Sequence, residues 1–163
     1  MGFNKGVFIH GYEAIATLNN YMHQMEMANP DVIIVGSQSG TAPEASYHLD
    51  HLNLSQYEFL LGTQPDTVIL CVSGHQNSDY IMRNVNLIES ATNAKVIALV
   101  LFPQMRKMEG MSNLRRFRRI EDSERLQICT RLSEETSLPC YDLSSSEDLD
   151  RLFELVICYY GEE

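Results

Sequence analysis

Long apolar runs are missing from this 163-residue sequence. The longest, such as residues 96–102, are strand-sized, well short of the roughly 18 residues that cross a bilayer, so no membrane-spanning helix is expected. Residues 1–6 lack the apolar stretch and small-residue cleavage site of a secretory signal, which argues against export. Cys-x-x-Cys is absent too, and Cys71, Cys129, Cys140 and Cys158 are well separated. Free thiols in a reducing, cytoplasmic compartment are the expectation. Basic residues are scarce: 12 Lys and Arg face 22 Asp and Glu, a net charge of −10. That balance favours solubility and opposes general binding to phosphate backbones, so no nucleic-acid partner is expected.

Two catalytic signatures are missing. G-x-x-x-x-G-K-[ST], whose glycine amides wrap phosphates while the Lys meets their charge, occurs nowhere. G-x-S-x-G, the turn that exposes a nucleophilic serine, does not occur either. No resident cofactor or metal is therefore expected.

What is present is ordinary globular material, 44% hydrophobic and 21% charged, with the length of one domain. Ile15, Leu18, Met22 and Met25 recur at helical steps, and Asn29-Pro30 closes that helix. Residues 31–35, Asp-Val-Ile-Ile-Val, form a β-branched run without polar alternation, which predicts a central parallel strand. Ser55-Gln56-Tyr57-Glu58 matches a capping box opening a short helix that ends near Gly62. Residues 67–72 predict a strand, Ile81, Val85 and Ile88 an inward helix face, and residues 95–102 a further strand stopped by Pro103. Residues 104–119 lack a clean period and read as a basic loop insertion with some helical turn. Acidic Glu121, Asp122 and Glu124 suit the first turn of a helix running to about Thr136. A short strand over 138–143 follows. Leu149, Leu152, Phe153, Val156 and Ile157 then match the amphipathic helix template. Alternating strands and helices predict a single α/β domain over 1–163, a mostly parallel sheet with helices on both faces, with ligands at the carboxyl ends of the strands. Gly36 to Gly40, Ser73 to Asn77 and Phe102 to Gln104 would share that rim.

Three stretches carry a family resemblance: residues 30–35 with the Gly/Ser/Gln loop after them, residues 61–71 (Leu-Gly-Thr-Gln-Pro-Asp-Thr-Val-Ile-Leu-Cys), and residues 95–99. Together with residues 134–139 and the Asp150-Arg151-Leu152 helix, they resemble the later half of P-loop proteins of the dethiobiotin-synthetase type. The resemblance extends in particular to the relatives described as D-glutamate N-acetyltransferase-like. A second similarity is to accessory proteins of bacterial peptide-maturation systems. The resemblance implies a P-loop-like, Rossmann-like three-layer fold from which the phosphate loop is missing. It also implies that Gly36 stands where the family's central strand ends in an acid, and that Phe102 stands where the family tends to carry a base-reading Asn. Related enzymes pair across helices, and Met22, Met25 and Met27 supply adaptable apolar area, so a homodimer is expected.

Several side-chain groups are candidates for chemistry. Gly36, Ser37, Gln38, Ser39 and Gly40 would either cradle a small anion with backbone amides or simply connect a strand to a helix. Ser73, His75 and Asn77 offer a hydroxyl, an imidazole and an amide on the next loop, though no acid partner can be assigned for a triad. His48, Asp50 and His51 bring two imidazoles and a carboxylate together, more readily as surface polarity than as ligands. Arg115, Arg116, Arg118 and Arg119, closely following Arg106 and Lys107, would grip an anion, a peptide or a partner's acidic face, or would pair with Glu121, Asp122 and Glu124. These features predict a non-hydrolysing binding or scaffold domain, with a role in bacterial peptide maturation. The alternative is the C-terminal part of a nucleotide- or acyl-CoA-dependent ligase or transferase whose phosphate loop lies outside this chain.

Overall fold

A computed structural model describes residues 10–37, 54–107 and 116–161. The chain divides into two compact units, one formed by residues 1–66 and 86–95, the other by residues 67–85 and 96–163.

In the first unit, α1 (Tyr12–Glu26) packs on α2 (Leu54–Thr63). Gly11 precedes α1 with φ 66°, a conformation glycine adopts without penalty. Its amide donates to Glu58 Oε1 at 2.7 Å, which ties the start of α1 to α2. The helices approach so closely that Gly62 of α2 has no room for a side chain against Leu18 and Ile15 of α1. The helix predicted from Ser55 therefore forms, beginning one residue earlier.

The predicted strand over residues 31–35 does not form. Residues 32–37 carry no ladder, and Val32 and Ile34 are 53% and 91% exposed. Branching at Cβ favours an extended backbone, but a strand also needs a partner whose amides it can pair with. Gly36 consequently follows no strand end, and the rim position expected for it is not realised among the described residues.

The second unit contains a three-stranded parallel sheet flanked by helices, in the order β1 (Thr67–Val72), β2 (Lys95–Leu101), β5 (Cys140–Asp142). β2 is its centre, with Ala98, Leu99 and Leu101 fully buried. Its register pairs Leu99 with Cys140 and Leu101 with Asp142. α3 (Ser78–Ala91), whose residues 78–85 belong to this unit and 86–91 to the first, buries Ile81, Val85 and Ile88, the face its periodicity predicts. α4 (Asp122–Thr136) buries Ile128, Cys129 and Leu132. It ends at Ser137 in the left-handed conformation, whose amide bonds the Ser133 carbonyl. α5 (Ser146–Gly161) is the helix the sequence predicts most clearly, yet none of its residues is fully buried. Tyr160 reaches Thr67 at the start of β1, oxygen to oxygen 2.7 Å.

Residues 104–119 are not a loop with helical turn at their described ends. β3 (Gln104–Lys107) and β4 (Arg116–Arg119) form an antiparallel two-stranded ribbon. No described helix is long and apolar enough to cross a membrane.

Candidate functional site

The carboxyl ends of the three parallel strands lie side by side, because the Phe102 amide donates to the Val72 carbonyl at 2.9 Å and the Leu143 amide to the Leu101 carbonyl at 3.2 Å. Parallel sheets place ligand sites beyond such ends. The loops after β1 and β5 are where an anion would look for free amides, so their hydrogen bonds decide what this rim can hold.

The loop after β1 closes on itself. Ser73 donates its amide to Gln76 Oε1 at 2.8 Å, and the Gln76 amide returns to the Ser73 carbonyl at 3.0 Å. Asn77 is the N-cap of α3: its Oδ1 accepts from the Tyr80 amide at 2.8 Å, as a cap residue should for the third helical position. His75 is exposed on the same loop. Of the residues predicted here, Ser73 and Asn77 thus have local structural roles.

The loop after β5 is closed in the same manner by acids. Asp142 Oδ1 accepts from the Ser144 amide at 2.9 Å and from its hydroxyl at 2.7 Å. The Asp142 amide donates to Asp148 Oδ2 at 2.9 Å, while the Asp148 amide reaches Ser145 Oγ at 3.2 Å. Ser145 therefore caps α5 through its hydroxyl, while its own amide goes to the Asp142 carbonyl at 3.0 Å and Asp148 holds the Asp142 amide, so the reciprocal half of a capping box is not made. An anion arriving here would have to displace carboxylates from the amides it needs.

Beneath this rim lies a pair that the sequence reading missed. Arg125, on the buried face of α4, donates from Nε to Asp142 Oδ2 at 2.5 Å, from Nη1 to the Ile120 carbonyl at 2.5 Å and from Nη2 to Asp122 Oδ1 at 2.9 Å. Burial pushes the Asp142 carboxyl up, but the hydrogen bonds from Arg125 and Ser144 outweigh it and hold the group below the usual carboxylate range. One signal could have exposed the pair: Arg125 falls in register with Ile128, Cys129, Leu132 and Thr136, the only charge on that stripe. On the same face Cys129 lies against Cys140 of β5, whose thiol is pushed well up by its hydrogen bond to Cys129 and by burial. Both remain free thiols.

The other predicted residues are placed as follows. Gly36 and Ser37 belong to the first unit, where the Ser37 hydroxyl bonds Gln56 Oε1 of α2. A Cβ at Gly36 would meet nothing within 4 Å, so packing does not demand glycine there. Gln38, Ser39, Gly40, Arg115, His48, Asp50 and His51 lie outside the described residues. Arg118 and Arg119 are in β4 with Arg116, and Arg118 forks onto Glu124 through Nη1 and Nη2 at 2.8 and 2.6 Å. That bidentate bond lowers the Glu124 carboxyl from its ordinary value. The pairing expected between the arginine segment and the acids of the next helix is therefore real at one position. The described surface also has a depression of about 630 Å³, and among the described residues α1 alone lines it, from Tyr12 to Gln24.

Residues 9–153 match the family of the DUF1611_C P-loop domain, a domain of unknown function. No curated protein matches the chain.

Proposed function

The chain belongs to this family of P-loop domains, and from that premise we propose that it is a binding or scaffold domain that does not hydrolyse nucleotide. The observation that carries this reading is how far the rim is self-occupied: side-chain oxygens of Gln76, Asn77, Asp142, Asp148 and Ser145 hold the amides of Ser73, Tyr80, Ser144, Asp142 and Asp148 beside the strand ends. Phosphoryl transfer depends on positioned amides, a Lys and a metal held by a hydroxyl and an acid. The sequence contains no G-K-[ST], and the resemblance to dethiobiotin-synthetase-type proteins puts Phe102 where the family tends to carry a base-reading Asn. The likeness to peptide-maturation accessory proteins supports a role beside a peptide or a protein partner, with the arginine segment as contact surface. A small anion would be held there as well. The four free cysteines suit a reducing cytoplasm.

The second reading, the C-terminal part of a nucleotide- or acyl-CoA-dependent ligase or transferase, is favoured by the family's description as a P-loop domain. Calorimetry with ATP and magnesium beside a phosphate-release assay separates the two. The binding-domain reading expects no micromolar affinity and no turnover above the protein-free control, since without an electrostatic clamp the γ-phosphate gains little over water. Micromolar binding together with turnover would establish the second reading.

Self-association is part of the proposal. Met25 and Met27 are 40% and 76% exposed near the end of α1, and such flexible side chains adapt to a facing copy. Light scattering should give twice the chain mass at high micromolar concentration; a monomer there would refute the homodimer.

A further inference from the structure

The β3–β4 ribbon has an unusual register. Lys107 stands directly opposite Arg116, Arg118 opposite Met105, and Arg119 opposite Gln104. Five of its eight residues are Arg or Lys and none is acidic. Like charges directly opposite one another destabilise a ladder, and two strands alone are marginal. The ribbon's base is nonetheless fixed. The Ile120 amide donates to the Pro103 carbonyl at 2.9 Å, Ile120 is fully buried, and Arg118 forks onto α4. No third strand flanks it among the described residues, and a strand edge without a neighbour presents main-chain donors and acceptors to an added strand.

We infer that an edge of this ribbon receives a short acidic peptide segment as an added strand, its main chain pairing with the edge and its negative charge matching the basic sequence of the two strands. This rests on the binding-domain reading above and names the class of partner. Strand addition supplies sequence-independent hydrogen bonds, and the charge pattern supplies selection. Charge also limits the partner's length. Residues 104–119 hold six basic side chains against Glu109, a net +5, which leaves −15 on the rest of a chain whose total is −10. A four-residue strand spans about 13 Å, and screening acts over about 8 Å. A long polyanion such as a nucleic acid would therefore overrun the ribbon and meet acidic surface, whereas a short peptide would not.

The test is fluorescence anisotropy on the full chain with a labelled alternating Glu-Val hexapeptide. Expected is saturable binding that weakens as salt rises, falls about tenfold in the Arg116→Ser/Arg119→Ser double variant, and is lost when alternate peptide nitrogens are methylated. Equal binding of a Lys-Val hexapeptide, or tighter binding of a single-stranded 20-mer oligonucleotide, would overturn the proposal. So would a methylated probe that binds unchanged, a result obtained on the unaltered protein and so independent of whether the variant folds. ATP turnover in the assay above would instead remove the binding-domain reading while leaving this titration interpretable.

Discussion

Replacing Arg125 with Met should lower the stability of the second unit by about 3–5 kcal/mol, because it strands a carboxylate in a buried site. Arg125 is 5% exposed and Asp142 9%, and of the guanidinium's three hydrogen bonds two tie α4 to the end of β5 and to the residue leaving β4, the third staying within α4 at Asp122. Met fills similar volume, so the loss reports charge and hydrogen bonding more than a cavity. In thermal unfolding this corresponds to a fall of about 10 °C or more. The Arg125→Met/Asp142→Leu double variant should recover most of it, since an apolar pair of similar size has no charge left to desolvate.

The pH dependence gives the same argument a sign. In the native protein the Asp142 carboxyl is held below its unfolded value, so its contribution is complete above about pH 3.9 and is lost as pH falls through the lower folded value. Without Arg125 only the two bonds from Ser144 oppose burial, so the carboxyl rises above its native value and the variant loses less stability than the native protein as pH falls and Asp142 takes up a proton. The gap between the two proteins should therefore narrow from pH 7 to pH 4.5. Urea midpoints at both values measure it. A gap below about 1 kcal/mol at pH 7 would mean that the pair is solvated and contributes as little as a surface bridge.

How far the sequence could be read depended on which physical signal each element leaves in it. β2 was legible because a central strand buried on both faces is nearly all apolar, and α3 because Ile81, Val85 and Ile88 all turn inward. The Asp-Val-Ile-Ile-Val run has the composition of such a strand, yet composition specifies only backbone preference, and pairing depends on distant residues. The ribbon was invisible for the opposite reason. A two-stranded element with charged residues at adjacent positions has no period of two for apolar residues to mark. In α5 the stripe of Leu149, Phe153 and Ile157 is real, but these residues are 39%, 67% and 52% exposed. Periodicity tells which residues share a face; it does not tell what covers that face. The candidate site shows a related limit: Ser73, His75 and Asn77 were located correctly beyond β1, but the capping role of Asn77 becomes visible only once α3 has a first residue.

Gly62→Val should destabilise the first unit by about 3 kcal/mol, and Gly62→Ala by about 1 kcal/mol, even though both remove a glycine from a helix. At an exposed helical site the second change would stabilise by roughly 0.5–1 kcal/mol through the smaller entropy of the unfolded chain. Here a Cβ would sit 2.7 Å from Leu18 Cβ and 3.1 Å from the Ile15 carbonyl oxygen. Neither is the free end of a flexible side chain, so neither can swing aside. The accommodation must come from α1 moving off α2, which loosens the contact that positions Gly11 against Glu58. Gly161→Ala is the matched control, being also helical and meeting nothing within 4 Å; it should be neutral or slightly stabilising. Chemical denaturation of the three variants, with hydrogen exchange on α1 and α2, separates the effects. If Gly62→Ala were as stable as Gly161→Ala, the two helices would have room to spare, and the close approach of α1 to α2 would not be what fixes their packing.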